Sequence, residues 1–187
     1  MKHKYDKRGA GDEGEFAENL FKEVCRLHKR NFCNSNLKED CAGVDGYLDG
    51  RSLDIKARKN RIPKNTCWIE ISKAGGTVGT GWAYHDKHVA QLMVYEEASN
   101  IVNTQFGIYR TTDIVTLIKQ KVNFDSKASK GVVYELYTRW WDKQHRGTMT
   151  VIPYSDLESL ASFQPLAIPR NLWERIRAFY GYDGINN

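Results

Sequence analysis

Residues 44–57 read VDGYLDGRSLDIKA, two short apolar-alternating runs joined by Asp49-Gly50. This is the most constraining stretch of the chain. A two-residue hairpin turn needs left-handed backbone at both central positions, and Asp-Gly meets that need at low cost. Residues 44–48 and 53–57 are therefore expected to pair antiparallel. In a strand, side chains alternate between faces. Leu53 and Ile55 then share one face, Asp54 and Lys56 share the other, and the hairpin carries Asp45 back toward Asp54.

Around this hairpin the pattern is mixed. Phe16, Leu20, Val24 and Leu27 recur at spacings of three and four, which predicts an amphipathic helix over residues 12–30. Asp12 suits its N-cap, with Glu15 three residues on. Residues 31–42 are polar and read as irregular. Residues 67–72 (CWIEIS) alternate as the next strand, and 89–95 and 106–109 are apolar strand candidates. Residues 111–120 read as a helix, with Thr112 or Asp113 near its cap. Strands are expected at 132–141 and 149–152 around a polar turn at 142–147, then short helices at 155–161 and 170–180. The expected class is α/β, a central mixed β-sheet flanked by helices, with extra C-terminal strands and helices.

The chain has 187 residues, 41% hydrophobic and 12% aromatic, enough apolar material to exclude disorder as its main state. One domain, 1–187, is expected. No run of about 18 apolar residues exists, so no membrane span is expected. The N-terminal stretch lacks the apolar core of a secretory signal, which points to a cytoplasmic protein. The four cysteines, Cys25, Cys33, Cys41 and Cys67, form no C-x-x-C pair and read as reduced thiols.

Positive charge is local. The net charge is +5, and residues 51–64 alone carry six bases against one acid. The first eight residues add four bases against one acid, and the remainder is net acidic. A basic stretch of this kind attracts a polyanion through phosphate contacts and counterion release. A solvated surface loop would look the same.

The hairpin also carries chemistry. Two carboxylates and an ammonium on one rim suit Mg²⁺, which takes hard oxygen ligands and keeps several waters. A lysine there can orient the attacking water or help to deprotonate it. The carbonyl of Ile55 can add a ligand. Such a set fits phosphodiester hydrolysis. The triplet Asp-x-Lys occurs twice, at Asp54 and at Asp125. Asp125 lies in NFDSKASK, a polar stretch without alternation that reads as a loop, so context favours Asp54. Glu15 and Glu18 share a face of the preceding helix. Glu18 is the favoured third acid, because Gly14 one turn earlier permits close backbone approach; both acids also suit the helix dipole.

Taken together, GEFAE, VDG and LDIKAR resemble the PD-(D/E)xK nuclease superfamily, with its restriction-endonuclease-like or Holliday junction resolvase-like fold. The resemblance covers about half the chain, a nuclease-like core at 12–95, and leaves 96–187 as sheet extension and C-terminal helices. Val44 stands where the motif has proline, and the second acid is Asp. The resemblance implies a Mg²⁺-dependent DNA endonuclease, with Mn²⁺ able to substitute. It assigns Asp45, Asp54, Lys56 and Glu18 to catalysis, with Asp45, Asp54, Ile55 and Glu18 as metal ligands. Arg58, Lys59, Arg61 and Lys64 would contact DNA phosphates. Many nucleases of this class cut both strands as homodimers. A non-catalytic nucleic-acid-binding protein on the same fold is the alternative, and an interaction protein with a chance triplet is the third.

Other groups are weaker. Glu70 is a candidate acid beside the site. The glycine-rich stretch 75–81 is neither a P-loop nor a dinucleotide fingerprint, and reads as a mobile loop. His85 and His88 have a metal-compatible spacing but no third ligand. Arg139, Trp140, Trp141, Lys143, His145 and Arg146 form an aromatic-basic cluster that could stack bases and bind phosphates.

Overall fold

The computed structural model describes residues 10–59, 62–73, 77–97, 100–129, 131–140 and 146–181. The chain is mixed α/β, built on two sheets rather than one. Its elements are α1 (Ala10–Leu27), β1 (Phe32–Asn34), α2 (Leu37–Cys41), β2 (Gly46–Leu48), β3 (Arg51–Lys56) and β4 (Thr66–Ser72). A single 3₁₀ turn, Trp82–Tyr84, precedes β5 (His88–Glu97) and β6 (Asn100–Arg110). Then come α3 (Thr111–Lys121), β7 (Asn123–Lys127), β8 (Glu135–Trp140), β9 (Arg146–Pro153), α4 (Tyr154–Glu158), β10 (Gln164–Ala167) and α5 (Arg170–Tyr180).

The first sheet has the order β1-β2-β3-β5-β6-β10, and the second β4-β9-β8-β7. The expected hairpin is β2–β3, joined by Asp49 at φ 50° and Gly50 at φ 83°. β3 and β5 run parallel; the other pairs of this sheet are antiparallel. The boundary drawn at residue 95 falls inside β5, whose hairpin partner β6 continues the same sheet.

Each face of the first sheet buries its own core. On one side Ala17, Leu20, Phe21 and Val24 of α1 and Leu172 and Ile176 of α5 cover Leu53, Ile55, Leu92 and Phe106. On the other, Val89, Met93 and Tyr109 meet Ile69 and Ile71 of β4, Ile114 and Ile118 of α3, and Leu157 of α4. Burying this much apolar surface is the main stabilising term.

Several expectations are corrected. Asp12 lies inside α1 and is not its N-cap. The N-cap of α3 is Arg110, which makes no side-chain cap; Thr112 and Asp113 lie near it, in the first turn, as expected. Residues 31–42 are ordered as β1 and α2: Asn36 Oδ1 accepts from the amides of Lys38 and Glu39, and the Glu39 carboxylate accepts from Asn36 N at 2.9 Å. This reciprocal cap offsets the poor helix nucleation of so short a segment. Asp125 sits in strand β7, not a loop, because β8 supplies pairing that local pattern does not reveal. Residues 67–72 are a strand, but β4 belongs to the second sheet. β10 was not expected at all.

Gly14 has nothing within 4 Å of where a Cβ would stand. Gly14 therefore makes no close approach to the sheet; approach to DNA is the part of that expectation left standing. Helix-interior glycine costs about 0.5–1 kcal/mol relative to alanine. Gly14→Ala is accordingly expected to raise the melting temperature by about 1–4 °C, since each kcal/mol is about 2–4 °C at this size. Thermal unfolding followed by circular dichroism checks it.

Candidate functional site

The site forms where β2 leaves the sheet. Asp45 N still donates to Leu53 O at 2.9 Å, as a strand residue would. The next backbone donor on that side of β3, Ile55 N, has no strand opposite it and is taken instead by Asp45 Oδ2 at 2.5 Å. A carboxylate thus closes the sheet edge. The Ile55 carbonyl points to the same side as its N–H, because both groups of one strand residue face the same neighbour.

The approach to Asp45 is also fixed from behind. α2 ends with Gly43 N donating to Asp40 O and Val44 N to Glu39 O, and Gly43 takes φ 82°, where a side chain would be strained. The Gly43 carbonyl accepts from Lys87 Nζ at 2.5 Å. Lys87 also pairs with Asp54 Oδ2. Lys56 Nζ pairs with Asp54 Oδ1 at 2.5 Å. Asp54 is 1% exposed, and neither of its oxygens has a hydrogen bond of good geometry, so two ion pairs alone hold it. Lys56 is partly exposed at 22% and lies 5.5 Å from the Trp82 ring centroid, the contact of a cation with an aromatic face. The site opens on the side of Asp45 and Lys56.

Charge coupling ties these groups together. Burial, then the neighbouring Asp54 charge, raises the Asp45 pKa to about 7. Burial also pushes Asp54 up, but the ammonium groups of Lys56 and Lys87 outweigh it and hold its carboxyl below the ordinary value. Lys56 is pushed down by burial and up by Asp54 and Asp45, and the rise prevails, so it is an ammonium ion. In that form it can orient water and stabilise negative charge. Lys87 is shifted down, burial outweighing Asp54. Glu18 is shifted up by burial and feels both Asp40 and Lys56, which puts it within electrostatic reach of the site. Glu15 is exposed. Glu70 accepts from Trp82 N at 3.2 Å and also feels Lys56.

The Asp45 shift sets a pH window. Its folded pKa of about 7 lies above the roughly 3.9 of an unfolded aspartate, so the folded state binds the proton more tightly. The stability tied to that proton is complete below about pH 4 and is lost as pH rises to about 7. The Asp54 ion pairs act oppositely, and their contribution fades only as pH falls below about 4. Asp45→Asn is expected to flatten the melting temperature between pH 4 and 7 relative to wild type, and the Asn oxygen can still accept from Ile55 N. A slope unchanged by the substitution would contradict this.

No family model, curated protein or solved structure matches this chain.

Of the residues expected to meet, Asp45, Asp54 and Lys56 do, with Glu18 nearby. Lys87 was missed. It lies in HDKH ahead of the apolar run 89–95, but only the parallel β3–β5 pairing, Asp54 opposite Val89, brings it to Asp54. The phosphate contacts expected of the basic stretch divide. Arg58 is buried at 6%, ion-paired with Glu96 and 5.7 Å from the Tyr180 ring. This side chain is committed to the interior, which corrects its assignment to DNA. Lys59 pairs with Glu13 at 2.8 Å and also faces Trp68, whose ring Arg139 faces as well. Lys64 is exposed and pairs with Glu96 at 3.4 Å. Arg61 lies outside the described residues.

His85 and His88 flank the start of β5 and do not form a metal set; among the described residues no group of three or more His, Cys, Asp or Glu side chains does. Trp140 is 56% exposed with Arg146 over its ring, while Trp141, Lys143 and His145 lie outside the described residues. Residues 74–76 of the glycine-rich stretch are also outside them. Gly81 is not part of an open loop: it is buried, and a Cβ there would stand 1.9 Å from Glu70 O.

The donors suit a divalent cation in kind. Asp45 at the partly open edge and the Ile55 carbonyl on the same side are hard oxygen donors, while the buried Asp54 has its two oxygens against the Lys56 and Lys87 ammonium groups. Asp45, Asp54 and the Ile55 carbonyl would hold the ion, with Glu18 able to reach it through water.

Proposed function

We propose that the chain is a metal-dependent phosphodiesterase acting on DNA, with its site at Asp45, Asp54 and Lys56. The observation that supports this most is the Asp45 carboxylate lying at the gap in the sheet edge, coupled to Asp54, with the Lys56 ammonium alongside. A bound Mg²⁺ or Mn²⁺ would supply polarisation of the phosphoryl oxygen and a nucleophile at neutral pH. Asp45 provides the negative charge that binds it, and Asp54 joins when an ammonium group gives way to the ion. Lys56, partly exposed and protonated, orients the attacking water and stabilises charge developing on the phosphate. Lys87 touches both Asp54 and Gly43 and so positions the first acid against the second.

A second reading is a protein that binds nucleic acid without cutting it: Lys56 and Lys87 already neutralise Asp54, which weakens it as a metal ligand.

The test incubates the protein with supercoiled plasmid and with a four-way junction, in Mg²⁺, Mn²⁺ or EDTA, beside Asp45→Asn. Metal-dependent cleavage lost in the variant is the expected result. Salt-dependent binding of both substrates with no cleavage in either metal would establish the binding reading. Cleavage that Asp45→Asn retains would place the chemistry elsewhere.

A further inference from the structure

The hairpin presents a second group of cations on the opposite face of the same sheet. Paired strand residues share a face, and the register puts Leu53 beside His88 and His88 beside Arg110. Arg51, two residues before Leu53, joins that row, with its Nη1 3.4 Å from His88 Nε2. Beneath the row lies a cleft of about 260 Å³, floored by the buried Leu48 and Ile108, lined by Arg51 and His88 and bordered by Gln164, Arg30 and the Asp49 carboxylate; Arg110 does not line it but adjoins His88 on the next strand.

Like charges on adjacent strands destabilise a sheet. Here two guanidiniums flank one imidazole, and among the described residues neither Arg51 nor Arg110 has a carboxylate within ion-pair distance. Two carboxylates are in electrostatic range. Asp49 is engaged by Arg30, through Nε at 2.8 Å and Nη2 at 2.5 Å, and by Asn31 N at 3.2 Å. Asp86 is exposed and faces His88 from the preceding turn. Neither cancels the row. Burial and the two guanidiniums hold the His88 ring toward its neutral form, so an anion arriving between them relieves a repulsion already present.

We propose that the Arg51–His88 end of this cleft binds a phosphate group, with Arg51 as the clamp in the lining, Arg110 as a second cation beside His88 on the next strand, and His88 as the donor between them. Guanidinium forks match phosphate oxygens in pairs. The cleft is below the roughly 300–1,000 Å³ of pockets that enclose whole drug-sized ligands. It fits a small phosphate or the phosphorylated end of a larger molecule, such as a nucleic-acid strand. The site is separate from the carboxylates and does not depend on cleavage.

The test follows the His88 ring signals of the full chain by NMR, assigned with His88→Gln, at constant ionic strength. Inorganic phosphate is titrated first, then a short DNA strand with and without a 5′-phosphate. A saturable His88 shift, weakened about tenfold or more by Arg51→Gln and by Arg110→Gln, is expected. Both arginines are exposed, and unchanged circular dichroism would confirm that the variants fold. Tighter binding of the 5′-phosphorylated strand than of inorganic phosphate or of the bare strand assigns the site to a nucleic-acid end. Equal binding of phosphate and phosphorylated strand assigns it to a free small phosphate. No saturable shift, or a shift that both arginine variants leave intact, overturns the proposal.

Discussion

Asp54→Ala is expected to destabilise the fold by about 3 kcal/mol, at the lower end of the range for removing one partner of a buried ion pair. The cost comes from what is left behind. Lys56 can extend toward solvent, since its side chain is 22% exposed, but Lys87 is 4% exposed and loses its only carboxylate partner among the described residues. At this chain length the loss corresponds to a fall of about 6–12 °C in melting temperature. Adding Lys87→Met should restore much of it, because a neutral side chain of similar length carries no desolvation penalty. Urea unfolding of wild type, single and double variants measures the coupling. A double variant no more stable than Asp54→Ala would show that Lys87 is not the stranded charge.

That result decides how activity is tested. An inactive Asp54→Ala protein would be ambiguous, as loss of chemistry and loss of fold coincide. Asp45→Asn separates them. It removes the carboxylate whose ionisation the folded state disfavours, so stability at pH 7 and above should hold or rise. Cleavage should nevertheless fall by about 10²–10³-fold or more, the scale of losing one preorganised charged group from a reaction centre. The measurement is the initial rate of plasmid nicking in Mg²⁺, beside a urea melt of the same preparation. Full activity in a stable Asp45→Asn protein would remove Asp45 from the site.

How far the sequence could lead varied with distance along the chain. The hairpin, α1 and α5 were legible because their signals are local: a turn dipeptide, a 3.6-residue period, a run bounded by proline and glycine. The nearness of Asp45 to Asp54 followed from the hairpin alone. Lys87 did not, since it reaches Asp54 through a parallel pairing across some thirty residues. Nor did the fate of Arg58, where a basic side chain in a basic run is drawn inward by Glu96 and Tyr180. β1, β7 and β10 are only three to five residues long, too short to show an alternation, and become strands because a neighbour offers them hydrogen bonds. The capping box over Asn36–Glu39 was missed, because the polar composition of residues 31–42 reads as irregular.

The excursion between β3 and β5 has a kinetic consequence. The chain leaves the first sheet after Lys56, builds β4 in the second, and returns to lie parallel beside β3. β4 in turn needs β9, more than seventy residues downstream. Non-local pairing of this kind is slow, because loop closure must precede the contacts that reward it. The lysine that steadies the acids therefore arrives late. On a ribosome, Asp45 and Asp54 emerge long before β9, so the carboxylate pair passes through a stage in which its hairpin exists without the second sheet to enclose it.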